Sequence, residues 1–573
     1  MKRRAARPRL DGMARDAGAG DAFVFDLVDD DLAEGEAADP GVPRLPTGPG
    51  ADGDPDDDGP GPDASPSGDR DRRLPPAVAP VAAVLAILLG TGFAVDGVRD
   101  DARMERMRQV YGGAFDVSAP LEPTWEWKGA VGPPRSFDGG MLNEVAAVGD
   151  VLVFQSRGDL VALDPASGDE AWRIVLGEDP TCGPTGSAGW SEAVTDRVVC
   201  LSGPAAAREA VVVGPDGVAS AGHALAAADT ARYGVARPGP DGTVLRAARV
   251  GPVPPADGDT AECSDVGLCT GTVRTGRDLR IRAEDARTGA ERWRVTVPFR
   301  PTNADQCANW YSRAWDGSDN MVDLDDMLDA ESFGARVTGT TLRLYGCGVE
   351  SVVTAEGVLL GAETAPGLGD VESLRTGGYV GYTYGAAAGT ILYDDDGGIV
   401  REIGGYLIEP HAVDGRGPET LLATGDPETR LRAYELDGTL RWDVPVKAEA
   451  YLFLAQVAGS VVVLTAEGAV TGLDVETGEE RFTWTTAESD DAYAGGLYVS
   501  RSFTDGRSVL LVVENGYGGV ELLALDAVTG EQAWTAKGQE AAREGRAPGL
   551  SSGIVALGGH LMEVSPDGVR GLG

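Results

Sequence analysis

The chain has 573 residues, 91 of them acidic and 49 basic, for a net charge of −42; glycines number 82 and aromatic residues make up 6%. A surplus of negative charge this large argues against nucleic acid as a partner, because a phosphate backbone needs a basic face. Three histidines (His223, His411, His560) are too few for a multi-histidine metal centre.

Residues 1–73 read as a disordered acidic cytoplasmic tail. A basic start passes into a stretch dominated by Gly, Pro, Asp and Ala, and such a segment buries too little apolar surface to offset the entropy of ordering. Within it, Phe23–Val28 is a short apolar island of the kind that docks a partner. Residues 74–95 contain no charged side chain and centre on the run Val81–Leu89. As a helix they would extend about 33 Å, enough for a hydrocarbon core of roughly 30 Å, so one transmembrane helix is expected. Arginines flank the run on both sides, and charge alone does not orient it. All six cysteines follow it, which favours an oxidising compartment for the C-terminal part. The expectation is a single-pass cell-membrane protein with a cytoplasmic N-terminus, a juxtamembrane linker over 96–120, and an extracytoplasmic domain over 121–573.

From residue 121 onward a motif recurs. Asp164 and Gly168 precede Trp172; Asp285 and Gly289 precede Trp293; Asp474 and Gly478 precede Phe482; Asp526 and Gly530 precede Trp534. In each copy Asp stands four residues before Gly, and the aromatic residue stands four after it. A contracted copy, Asp437-Gly438, leads to Trp442. Asp opens a hairpin turn by accepting backbone amides ahead of it, and Gly closes the turn in the left-handed region. The aromatic residue then lies on the outgoing strand, where a flat ring can wedge between neighbouring sheets. Weaker copies place glycines at 217, 357, 398 and 568, and later spacings near 40 residues match one four-stranded propeller blade per repeat. The fold class expected is all-β, an eight-bladed β-propeller of four-stranded antiparallel blades, with seven or nine blades left open. Trp125 and Trp127 resemble an outgoing strand with no turn before it, suited to completing the last blade.

Cys182 and Cys307 lie in loops ahead of strand cysteines Cys200 and Cys347, and Cys263 stands six residues before Cys269. Pairings 182–200, 263–269 and 307–347 follow that order, although six cysteines allow fifteen arrangements. The insertion around Trp310, Tyr311, Trp315, Asp316 and Asp319 is a candidate ligand loop, since aromatics beside carboxylates suit a cationic or sugar-like ligand. Its acids do not follow the calcium-loop spacing, and no metal site is expected there.

The repeat Ala-Leu-Asp-x-x-Thr-Gly-x-x-x-Trp resembles that of the pyrroloquinoline-quinone-like β-propeller repeat family. That family includes quinoprotein dehydrogenases and the propeller lipoprotein of the outer-membrane protein assembly machinery. The resemblance implies that the motif tryptophans dock blade against blade. Quinoprotein dehydrogenases carry adjacent cysteines and a calcium-binding carboxylate set; this chain has no Cys-Cys pair and no matching ligand motif, so neither pyrroloquinoline quinone nor calcium is expected. The expected function is a non-catalytic binding or scaffold module at the cell envelope, facing an unidentified envelope protein, peptide or glycan. A quinone-dependent dehydrogenase, and a transmembrane sensor coupling an external ligand to a cytoplasmic partner, are the alternatives.

Overall fold

The computed structural model describes residues 98–573 apart from short segments, the longest being 133–143, 486–497 and 538–552. The acidic tail (1–73) and the apolar run 74–95 lie outside the described residues. Among the described residues no helix is long and apolar enough to cross a membrane. The expectation of a single-pass membrane protein is corrected accordingly: the helix following the apolar run, over 98–109, is short and rich in charge.

The described residues form nine sheets of four or more strands, each built on a four-stranded antiparallel meander. In chain order they occupy 144–175, 181–224, 236–297, 333–360, 368–404, 406–445, 450–484, 499–537 and 553–572. The ninth sheet has three strands from the end of the chain, and its fourth is Pro123–Lys128, in which Trp125 faces Gly571 and Trp127 faces Val569. The repeat led to an expectation of eight blades, with seven or nine left open; the described residues hold nine such sheets. The first sheet gains short additions, and Ala412–Val413 adds parallel to the seventh.

Apolar runs such as Val151–Phe154 are continuous because both faces of each sheet are covered. Leu152 and Phe154 meet Val555, Met562 and Val569 of the ninth sheet, while Val153 meets Val198 and Cys200 of the second. Side chains alternating across the strand thereby serve two different neighbours. Nine such apolar clusters each join one sheet to the next, and the cluster between ninth and first closes the series.

The segment read as a linker is structured at its end. Arg103 and Met107, one helical turn apart on the helix over 98–109, are both buried. Arg103 donates to the carbonyls of Phe115 and Asp505, and Arg507 donates to Asp100. Residues 111–117 then run over the first-turn ends of the later sheets. Thr504 donates to the Gly112 carbonyl, Ala114 to that of Thr504, and Phe115 to that of Gly559.

Three disulfides are made, Cys182–Cys200, Cys263–Cys269 and Cys307–Cys347, as the order of the loops anticipated. They close loops of 18, 6 and 40 residues. Loop-closure entropy assigns them about 3, 2 and 4 kcal/mol respectively. Reduction is expected to lower the thermal midpoint, and Cys307→Ala/Cys347→Ala should lower it more than Cys263→Ala/Cys269→Ala; the reverse order in calorimetry would contradict the entropic ranking.

Candidate functional site

Each Asp turn is built the same way. Asp474 Oδ1 accepts the amides of Glu476 and Thr477, and Gly478, at φ 74°, donates back to the Asp474 carbonyl. Asp164, Asp285 and Asp526 repeat the pattern around Gly168, Gly289 and Gly530. At Asp285, Asp474 and Asp526 burial pushes the carboxyl up, but hydrogen bonds from the turn, aided by Arg292 at Asp285 and Arg481 at Asp474, outweigh it and hold the group below its ordinary value.

The motif aromatics lie over the turns of the following sheet. Trp172 Nε1 donates to the Pro215 carbonyl at 2.9 Å, Trp293 to Ala355 at 2.6 Å, and Trp442 to Val475 at 2.9 Å. Trp534 donates to Val117 of the N-terminal segment at 2.8 Å. A Cβ on Gly478 would meet the Trp442 ring at 2.8 Å, and one on Gly530 would meet the Phe482 ring at 2.2 Å. Glycine at these turns therefore answers two demands, a positive φ and a ring pressed onto the backbone.

In an antiparallel meander the first and third turns emerge at the same end, so the Asp turns share a face with the turns crossed by the N-terminal segment. On that face lies a cavity of about 260 Å3, assembled from four separate stretches: Gln109–Tyr111, Arg375 in the first turn of the fifth sheet, the 413–419 loop of the sixth, and Gln456 of the seventh. The loop is held firmly. Gln456 accepts the Thr420 amide and donates to the Pro418 carbonyl, while Asp414 accepts the amides of Ala458 and Arg416. Arg375 donates to Glu419 at 3.0 Å, lies 3.8 Å from Glu409, and stacks 4.4 Å over the Tyr111 ring, which has Arg501 5.4 Å away. Burial pushes the Glu409 carboxyl up despite Arg375. Desolvation, helped by Arg501 and Arg375, pushes His411 down to about 4, and its enclosed Nδ1 has no hydrogen-bond partner among the described residues. Arg416, half exposed, forms the lip.

None of the cavity residues belongs to the repeat motif. Four stretches more than thirty residues apart from one another leave no local spacing to detect. Of the candidate ligand loop, Trp310, Tyr311, Trp315 and Asp316 lie outside the described residues; Asp319 pairs with Arg313 in a two-stranded ribbon. Among the described residues no group of three or more His, Cys, Asp or Glu is arranged to hold a metal ion.

Residues 409–547 match the family model described as outer membrane protein assembly factor BamB. Over residues 409–547 the chain resembles PQQ-like β-propeller repeats. Solved structures similar to this chain include BamB from Moraxella catarrhalis, at 12% identity over 79% of this chain and 99% of that one, with a TM-score of 0.33. The computationally designed protein Ika8 is 10% identical over 78% and 99% of the two chains, with a TM-score of 0.30. The dihydro-heme d1 dehydrogenase NirN, in complex with DHE, is 13% identical over 74% and 79%, with a TM-score of 0.31. No curated protein sequence matches this chain.

Proposed function

We propose that the protein is a non-catalytic binding module, a ring of nine blades that presents the cavity beside Tyr111, Arg375 and Arg416 to a protein, peptide or glycan. The supporting observation is how the charged groups at the cavity are used. Arg375 is engaged by Glu419 and Glu409, and Asp414 by backbone amides, so these groups brace loops and do not form a nucleophile with its base. The match of 409–547 to a family described as an assembly factor points the same way. The motif residues Trp172, Trp293, Trp442, Phe482 and Trp534 serve in this reading as docking wedges between blades, with neither quinone nor calcium as a working partner.

A photo-crosslinking residue at Arg416 should capture one partner in cells that the same residue at Val253, exposed on the opposite face, does not. Equal capture from both positions, or none from Arg416, would remove the cavity from the interface. Purified protein given pyrroloquinoline quinone, calcium and an artificial electron acceptor should leave the dye unreduced; reduction would make it an enzyme.

A further inference from the structure

The repeat supplies its own comparison for the rim of the Asp-turn face. Two residues before the motif ring, where the outer strand leaves the turn, the first, third, seventh and eighth sheets carry Glu170, Glu291, Glu480 and Gln532. Register places Ile399 and Leu440 at that same position in the fifth and sixth sheets, two residues before Arg401 and Trp442. Lys447, just past the end of the sixth sheet, donates to Glu480, and the Trp127 indole of the ninth donates to Glu170. A side chain at this position therefore reaches back across the seam to the preceding sheet. It is polar in four sheets and apolar in two adjacent ones.

Ile399 and Leu440 are 43% and 46% exposed, and Val400 and Leu436 beside them 43% and 36%. The two sheets abut here, since a Cβ on Gly438 would stand 3.1 Å from the Arg401 side chain. Single apolar residues on a surface are ordinary, but four gathered at one seam make a patch of the kind that marks an interaction site. The turns that flank it carry the exposed acids Asp394, Asp395, Asp396, Glu435 and Asp437. The outer strand of the fifth sheet, Ile399–Gly404, has a single strand beside it among the described residues, so its outward edge is open. Charged side chains usually guard such an edge, whereas this one begins with Ile399 and Val400. A second copy of the chain is a poor occupant, because molecules of net charge −42 repel one another.

We propose that this seam is a docking surface for an extended segment of another protein, in which apolar residues alternate with lysine or arginine. The segment adds to the open edge of the fifth sheet, seats apolar side chains on Ile399, Leu436 and Leu440, and sets its cations against the turn acids. The surface is separate from the cavity and does not depend on the cavity being a binding site.

Fluorescence anisotropy on the full chain, with a labelled peptide Lys-Leu-Lys-Val-Lys-Leu-Lys, tests it. This peptide should bind at least tenfold more tightly than a copy with serine at its three apolar positions. Added salt should weaken both alike and leave the ratio unchanged. Ile399→Glu/Leu440→Glu supplies the residue type that three other sheets carry, so it should keep the thermal midpoint and remove the tenfold preference. If that protein does not fold, Ile399→Thr/Leu440→Gln takes its place with the same expectation. Methylating alternate backbone nitrogens of the peptide should also remove the preference, because edge pairing needs those amides. Equal binding of the two peptides, a preference that survives the double substitution, or a methylated peptide that binds as well as its parent overturns the proposal. So does a dimer in sedimentation that the double substitution dissolves, since a second copy would then be the occupant.

Discussion

Trp442→Ala should lower the free energy of unfolding by about 4 kcal/mol, the usual cost of emptying a buried aromatic site. Trp442 is 7% exposed and packs with Phe453, Val461, Val463 and Leu473 between the sixth and seventh sheets. Truncation leaves a void that four flanking strands, each held in a hydrogen-bonded ladder, cannot collapse to fill. It also strips the Val475 carbonyl of its indole donor. Trp442→Phe keeps most of the ring and loses the hydrogen bond, for which about 1 kcal/mol is expected. Trp172→Ala should be milder than Trp442→Ala, since Trp172 is only half-buried and leaves a smaller void. Denaturant titration of the three variants reads this ordering directly. If Trp442→Ala proves no worse than Trp172→Ala, the rings are ornaments of the turn and the seams are held elsewhere.

The parts of this fold that depend on short stretches of chain were legible. An Asp four residues before a Gly makes its turn with bonds inside those residues, so four copies could be recognised without knowing what lay beside them. Trp125 and Trp127 were readable as a strand lacking its turn because the last turn lacked its strand. The number of sheets was harder, and the reason lies in the weak copies. Gly361 occupies the aromatic position after Gly357, and in the fifth sheet the turn centres on Asp394 and Gly397, one residue before the glycine read as its marker, so that Arg401 takes the ring's place. A blade that keeps its strands and loses its wedge has no strong local signature.

The N-terminal segment failed for a different reason. The helix over 98–109 is anchored by Arg103, a charged residue that composition assigns to a solvated linker, and its burial becomes intelligible only beside the Asp505 turn four hundred residues later. The cavity was invisible on the same grounds, because Tyr111, Arg375, Asp414 and Gln456 come together through ring closure and not through spacing. Residues that form a site by closure of a ring carry no period of their own, whereas residues that repeat in every blade are the ones least able to give one blade a distinct role.

Acidification should expose His411 as a second large determinant of stability. Its imidazole titrates near 4 in the folded protein against an ordinary value of 6.5, chiefly through desolvation and then through Arg501 of the eighth sheet and Arg375 of the fifth. The unfolded chain therefore takes up a proton between pH 6.5 and 4 that the folded chain refuses. The contribution is complete above 6.5 and is lost as the pH falls toward 4, amounting to roughly 3 kcal/mol at about 1.4 kcal/mol per unit. Glu409, pushed up by burial, acts with the opposite sign, because its protonated form is the one the fold favours. The turn carboxylates Asp285, Asp474 and Asp526 are held below their ordinary value, and what they add is lost only at still lower pH. Unfolding titrations at pH 7, 5.5 and 4.5 should thus show wild-type protein losing stability through a window in which His411→Gln, with no proton to accept, stays nearly level. Parallel decline of the two proteins would mean that the ring is solvated in the native state, and that the loop between Glu409 and Thr420 is looser than its hydrogen bonds to Gln456 imply.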